Sequence, residues 1–252
     1  MNTGEMDMQK IQVQAHRGAS GYAPENTLPA FQLAVDMKAD GIECDIHYSK
    51  DGHFIVCHDE TVDRTSNGSG IISEMTLAEI KALDFGSKFD EKFAGVTAPT
   101  LCEMLDVVKG MKVINIEIKE FGKGRDEDKI LHEFYQILAS YGIVEKVIVS
   151  SFDARLLKRL KELHSDMYTC FLYGKQKKIA IYSKNLGCSA IHPYFGVGYL
   201  TTMTVRSAHR RGMKVNAWTA NTDKEIRRVI KLGCDGVITN YPDLALKIAC
   251  EE

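Results

Sequence analysis

The chain has 252 residues, 44% hydrophobic and 26% charged, with a formal net charge of −2. That length and balance suit one globular domain with an ordinary core. They argue against a general nucleic-acid binder, which needs a basic footprint, and no apolar run approaches the roughly 18 residues of a membrane span. The first ten residues, MNTGEMDMQK, are polar and lack the apolar core and cleavage pattern of a secretory leader. Seven cysteines, odd in number and without CxxC spacing, fit free thiols in a reducing cytoplasm.

Taken in order, residues 11–15 predict a short strand ending at His16-Arg17-Gly18. Asn26 or Thr27 then caps a helix carrying Pro29 in its first turn, with Leu28, Phe31 and Val35 on one face. Residues 41–46 form a second strand, and Asp51-Gly52 signals a hairpin returning through residues 54–56 to His58-Asp59. Between residues 51 and 99 the pattern is interrupted: turn-rich sequence surrounds one short helix opened by a Thr76-x-x-Glu79 capping box. Phe85, Phe89 and Phe93, four residues apart, read as one packed face.

From Thr100 a regular alternation resumes. Thr100-x-x-Glu103 opens a helix, and strands follow at 112–119, 146–151, 167–172, 188–192, 214–218 and 235–239, each trailed by a helix. About eight strand–helix units, with short apolar strands, predict an α/β fold: a (β/α)8 TIM barrel over residues 1–252 with a small inserted subdomain at 51–99, after the second strand. A doubly wound open sheet is the architectural alternative, weakened because no GxGxxG follows the first strand.

Barrel chemistry sits where strands end. Those ends carry His16 and Arg17, Glu43 and Asp45, Glu117 and Lys119, and Trp218 with Asn216. Glu43 and Asp45 are two apart, so both face one space, and so do Glu117 and Lys119. Taken singly, each has a plain structural explanation: a solvated rim charge, a satisfied core histidine, a packed tryptophan. Taken together, three carboxylates sharing a mouth with Arg17 and Lys119 are hard to explain by stability alone. Oxygen ligands of this kind suit one divalent cation, Mg2+ or Ca2+. Arg17 and Lys119 would face an anion bound by the same cation, and a phosphate fits best. With His16 and His58 the set is one for phosphoryl transfer, one imidazole taking a proton and the other giving one. His47 is expected to point away from Asp45, His132, His164 and His209 to be solvated on helices, and His192 to lie at the rim as a supporting residue.

The segments HRGASGYAPENTLPAF at 16–31 and ECDIHYSKDGHFIVCHDETVDRTSNGSG at 43–70 resemble the glycerophosphodiester phosphodiesterase family, as do EIK at 117–119, AWTAN at 217–221 and LGCDGVITNYPD at 232–243. The resemblance implies a TIM barrel with an insertion after its second strand. It implies His16 and His58 as the acid/base pair, Glu43, Asp45 and Glu117 as ligands of the cation, Arg17 and Lys119 on the phosphate, and Trp218 against the glycerol. The substrate would be a small-molecule glycerophosphodiester, with no nucleic acid and no stable membrane insertion. Cys44 stands where the family more often has an aliphatic residue, on the face turned from the site. Two other functions share these features: a lysophospholipase D-like phosphodiesterase, and a non-catalytic barrel that binds phosphodiesters.

Overall fold

The computed structural model describes residues 11–174, 178–196 and 200–251. The leader expectation for the first ten residues lies outside these. In chain order the strands are β1 (Gln12–His16), β2 (Gly41–Tyr48), β3 (Phe54–Val56), β4 (Val113–Ile118), β5 (Val147–Ser151), β6 (Tyr168–Tyr173), β7 (Ala190–Pro193), β8 (Lys214–Ala217) and β9 (Gly236–Thr239). All pair in parallel except β3, which returns antiparallel to β2. β1 pairs with both β9 and β2, so the eight parallel strands close on themselves as a TIM barrel.

Helices follow the strands as α1 (Leu28–Asp36), α2 (Leu77–Lys81), α3 (Leu101–Val108), α4 (Glu127–Ser140), α5 (Ala154–Leu163), α6 (Ile179–Asn185), α7 (Thr202–His209), α8 (Asp223–Lys231) and α9 (Pro242–Ala249). Alternation along the strands builds two environments. Ile42, Cys44 and Ile46 of β2 and Ile114, Ile116 and Ile118 of β4 face outward into one apolar cluster with the helices. Their neighbours Glu43, Asp45, Asn115 and Glu117 face inward. Gly41 allows β2 to approach β4: a Cβ there would stand 2.2 Å from the Val113 carbonyl oxygen.

Between β2 and α3 the chain carries β3, α2 and a separate cluster of Ile55, Val62, Ile72, Ile80, Phe85 and Ala98. The packed face expected of Phe85, Phe89 and Phe93 forms only in part: Phe85 joins that cluster, while Phe89, 45% exposed, meets Phe93 edge-on at 5.8 Å. The cause is Asp84, whose carboxylate accepts the backbone N–H groups of Gly86, Ser87 and Gly95 and winds the segment into turns. The Thr76/Glu79 and Thr100/Glu103 capping boxes form as expected. Thr27 is the N-cap of α1 but makes no capping bond; its hydroxyl donates to the Pro24 carbonyl. All seven cysteines are free thiols. No helix among the described residues is long and apolar enough to cross a membrane.

Candidate active site

Strand register sets the carboxylates side by side. His16 of β1 lies level with Glu43 of β2, and Asp45 of β2 lies level with Glu117 of β4. Each of Glu43, Asp45 and Glu117 offers an oxygen within 4.8 Å of the others, and all three are buried. Close burial of like charges is costly. Burial, then the charge of Asp45, pushes Glu43 well up and Glu117 to about 7. Burial would raise Asp45 as well, but Lys119 and Arg17 outweigh it and hold that carboxyl well below its usual range.

The compensation is local. The Lys119 ammonium stands 2.9 Å from Asp45 Oδ1 and also contacts Glu117 Oε1. It approaches Asp45 Oδ1 off the hydrogen-bonding direction, so that buried oxygen forms an ion pair without a hydrogen bond. Arg17 Nε lies 3.5 Å from Asp45 Oδ2 and is likewise buried without a hydrogen bond. Arg17 and Lys119 thus lean on the carboxylates, and Lys119 also borders open space at the mouth. Three inward oxygens that remain charged together only beside positive charge are a donor set fitted to a hard divalent cation.

Each imidazole is held by a different kind of partner. His16 Nδ1 lies 2.7 Å from Asn240 Oδ1, at the end of the adjacent β9. With Nδ1–H donated there, Nε2 is left as the acceptor, 3.9 Å from Glu43 Oε2. Burial, then the neighbouring Arg17 charge, lowers His16 to about 4, so the ring is neutral at ordinary pH. His58 follows β3, and its Nδ1 lies 2.6 Å from Asp59 Oδ1, a carboxylate. A cavity of about 730 Å³ opens beside it, lined by His47, His58, Glu117, Lys119, Phe121 and Arg125. A slightly larger cavity lies at the opposite, strand-N-terminal end of the barrel, but its Lys112 and Lys214 are tied to Asp40 and Asp235.

Trp218 stands half-buried across the mouth, its indole N–H donating to the His192 carbonyl and its ring 5.9 Å from Phe152, edge-on. His192 is not at the rim. It is fully buried beneath the carboxylates, between the amides of Asn216 at 2.9 Å and Asn115 at 3.4 Å, and burial lowers it to about 3. His132 and His164 stack on each other, and His209 pairs with Asp235.

The site includes residues that the sequence reading missed. Asn26 sits in the left-handed region at φ 57°, which turns its side chain inward, and Nδ2 donates to Asp45 Oδ2 at 2.8 Å. His47 does not point away from the site. It shares a face with Asp45, as two-residue spacing on a strand requires, and reaches the His58 carbonyl at 3.1 Å. Glu25, Asp59 and Arg64 form an ionic chain beside the histidines.

A barrel with inward acids and two imidazoles at the C-terminal ends of its strands defines a site for handling phosphate esters. The family model of the glycerophosphoryl diester phosphodiesterases matches residues 16–244, and the chain belongs to that family. A glycerophosphodiester phosphodiesterase of Caldanaerobacter subterraneus is 38% identical over 248 residues, covering 95% of this chain and 98% of that protein. One of Bacillus subtilis is 35% identical, covering 95% of this chain and 86% of its own length. Among solved structures, an Oleispira antarctica phosphodiesterase in complex with the product sn-glycerol-3-phosphate is 29% identical with a TM-score of 0.87, covering 96% of this chain and 97% of that one.

Proposed function

We propose that the chain is a cytoplasmic, divalent-cation-dependent hydrolase that converts glycerophosphodiesters to glycerol 3-phosphate and an alcohol. The convergence of Glu43, Asp45 and Glu117 on one point, with His16 held by an amide and His58 by a carboxylate, carries the proposal. The three carboxylates would hold Mg2+ or Ca2+, and the ion would supply Lewis-acid stabilisation of charge on the phosphate oxygens. Residues 51–99 act as an inserted subdomain whose task is to bring His58 over the barrel mouth.

The proton steps follow from the partners. His16 Nε2, left unprotonated by the Asn240 bond, takes the proton of the glycerol hydroxyl next to the phosphoester as that oxygen bonds to phosphorus. The nucleophile is internal, so attack is effectively unimolecular. The bond to the alcohol oxygen breaks as His58 Nε2 delivers a proton to it, the ring being oriented by the contact of its Nδ1 with the Asp59 carboxylate. Water then opens the cyclic phosphate, giving its proton to His58 while His16 returns one to the glycerol oxygen. Arg17 and Lys119 hold phosphate oxygens, and Trp218 walls the glycerol side.

Glycerol 3-phosphate release by His16→Ala and His58→Ala tests this reading. Each variant should lose about 100-fold or more while remaining folded, and near-normal release by both would reject the assignment. A substrate panel of glycerophosphocholine, -ethanolamine, -glycerol, -inositol and a lysophospholipid separates this reading from a lysophospholipase D-like one, since only the latter favours the acyl substrate.

A further inference from the structure

His58 and Arg17 lie on different parts of the chain, the segment after β3 and the turn after β1, yet a single chain of ion pairs joins them. His58 Nδ1 meets Asp59 Oδ1 at 2.6 Å. Arg64 donates to Asp59 through Nε at 2.6 Å and Nη2 at 3.2 Å. The same guanidinium donates to Glu25 through Nη1 at 2.9 Å and Nη2 at 2.7 Å. Glu25 in turn accepts from Arg17 Nη1 at 2.8 Å. Arg64 is the only link among these that touches both segments.

Stability is a weak reason for such an arrangement. The Arg64 side chain is 48% exposed, and exposed ion pairs contribute little to folding. Geometry is the stronger one. A planar guanidinium fixes two carboxylates at a set distance and angle, which an ammonium does not. Its own backbone is anchored, because the loop between β3 and α2 is pinned by Val62, which is fully buried and whose N–H donates to the Gly70 carbonyl.

We propose that Arg64 is a positioning residue: by clamping Asp59 to Glu25 it fixes the His58 imidazole relative to Arg17 and the scissile phosphate. The proposal rests on His58 being the acid that protonates the leaving alcohol. Misplacing such an acid by about 1 Å costs on the order of 100-fold. In the ester-cleaving step, which kcat/KM reports, the cost falls only on substrates whose leaving group needs a proton.

The test compares glycerophosphocholine, whose choline oxygen must be protonated, with the p-nitrophenyl ester of glycerol 3-phosphate, whose leaving group departs as a stabilised anion. His58→Ala should lose kcat/KM steeply on the first and little on the second. Arg64→Ala should repeat that contrast at smaller size, losing about 10- to 100-fold on glycerophosphocholine and less than about 3-fold on the activated ester. Arg64→Lys, which keeps the charge without the fork, should fall between, and it carries the comparison if Arg64→Ala does not fold. The double variant should be no worse than His58→Ala alone, because the clamp acts only through that imidazole. If His58→Ala shows the contrast while Arg64→Ala and Arg64→Lys lose both substrates equally, or neither, the positioning role is wrong and the acid assignment stands. If His58→Ala shows no contrast, the acid assignment falls and the proposal falls with it.

Discussion

Asn26 directs its amide to one oxygen of Asp45 while its own backbone N–H donates to the Arg17 carbonyl. It therefore orients a carboxylate that the cation would need, from a position 19 residues away in sequence. Losing such a supporting bond commonly costs 10- to 100-fold in metal affinity. Asn26→Ala should raise the cation concentration for half-maximal activity by about 10-fold, read from activity against added Mg2+ or Ca2+; an unchanged midpoint would leave Asn26 a turn residue only. Period-two alternation was enough to put Glu43 and Asp45 on one face, and the same rule placed His47 there too, against the expectation that it turns away. Asn26 was harder to recognise, because its pattern reads equally as a helix cap and only its left-handed backbone sends the side chain inward. Arg64 and Glu25 gave no local signal, since what joins them is a contact across 39 residues.

At the level of elements, helix starts were the most legible feature. Thr76, Thr100 and Thr222 each form a full capping box, because the reciprocal bonds need only residues three apart. Thr222→Ala should cost about 1 kcal/mol, a fall of roughly 2–4 °C in Tm for a chain of this size. No measurable change would mean that packing of α8 alone sets its end. Strand ends were less legible, since β2 runs on through His47 to Tyr48, two residues beyond the expected strand. The turns at 84–95 were misread because an aspartate accepting three backbone donors overrides an apolar spacing of four.

Asp235 shows what an element junction contributes. Just before β9, it accepts from His209 of α7 at 2.7 Å and from Lys214 Nζ and the Val215 N–H of β8, each at 2.8 Å. Burial would raise its pKa, but these partners outweigh burial and lower it. A carboxyl depressed in the folded state contributes stability above its unfolded pKa of roughly 4, and loses it as pH falls through the folded value. Asp235→Asn should therefore destabilise by about 1–2 kcal/mol at pH 7, with the gap from the parent closing toward pH 3. A gap independent of pH would show that the charge of Asp235 is not what matters.

Across the whole molecule, the outward faces of the strands form an apolar core with the helices, while the barrel interior has a polar layer next to the acids and a small apolar cluster of Val113, Ile148, Cys170 and Ala190. Ser150 donates to Asn115, and His192 lies between Asn115 and Asn216. The fold holds its carboxylates in a position that costs stability unless positive charge is supplied. In metal-free buffer Glu43→Gln should match or exceed the parent in Tm, while saturating Mg2+ or Ca2+ should raise the parent by several degrees and the variant by less. A variant markedly less stable than the parent without metal would mean that the acid cluster stabilises the fold by itself.

The central claim, that Glu43, Asp45 and Glu117 together hold an ion the reaction requires, meets its most direct test in turnover of chelator-stripped protein as cation is titrated back. Release of glycerol 3-phosphate from glycerophosphocholine should be absent at the start and recover along a single-site curve, and Asp45→Asn, though folded, should not recover. Full-rate release by stripped protein with no ion bound would contradict the account.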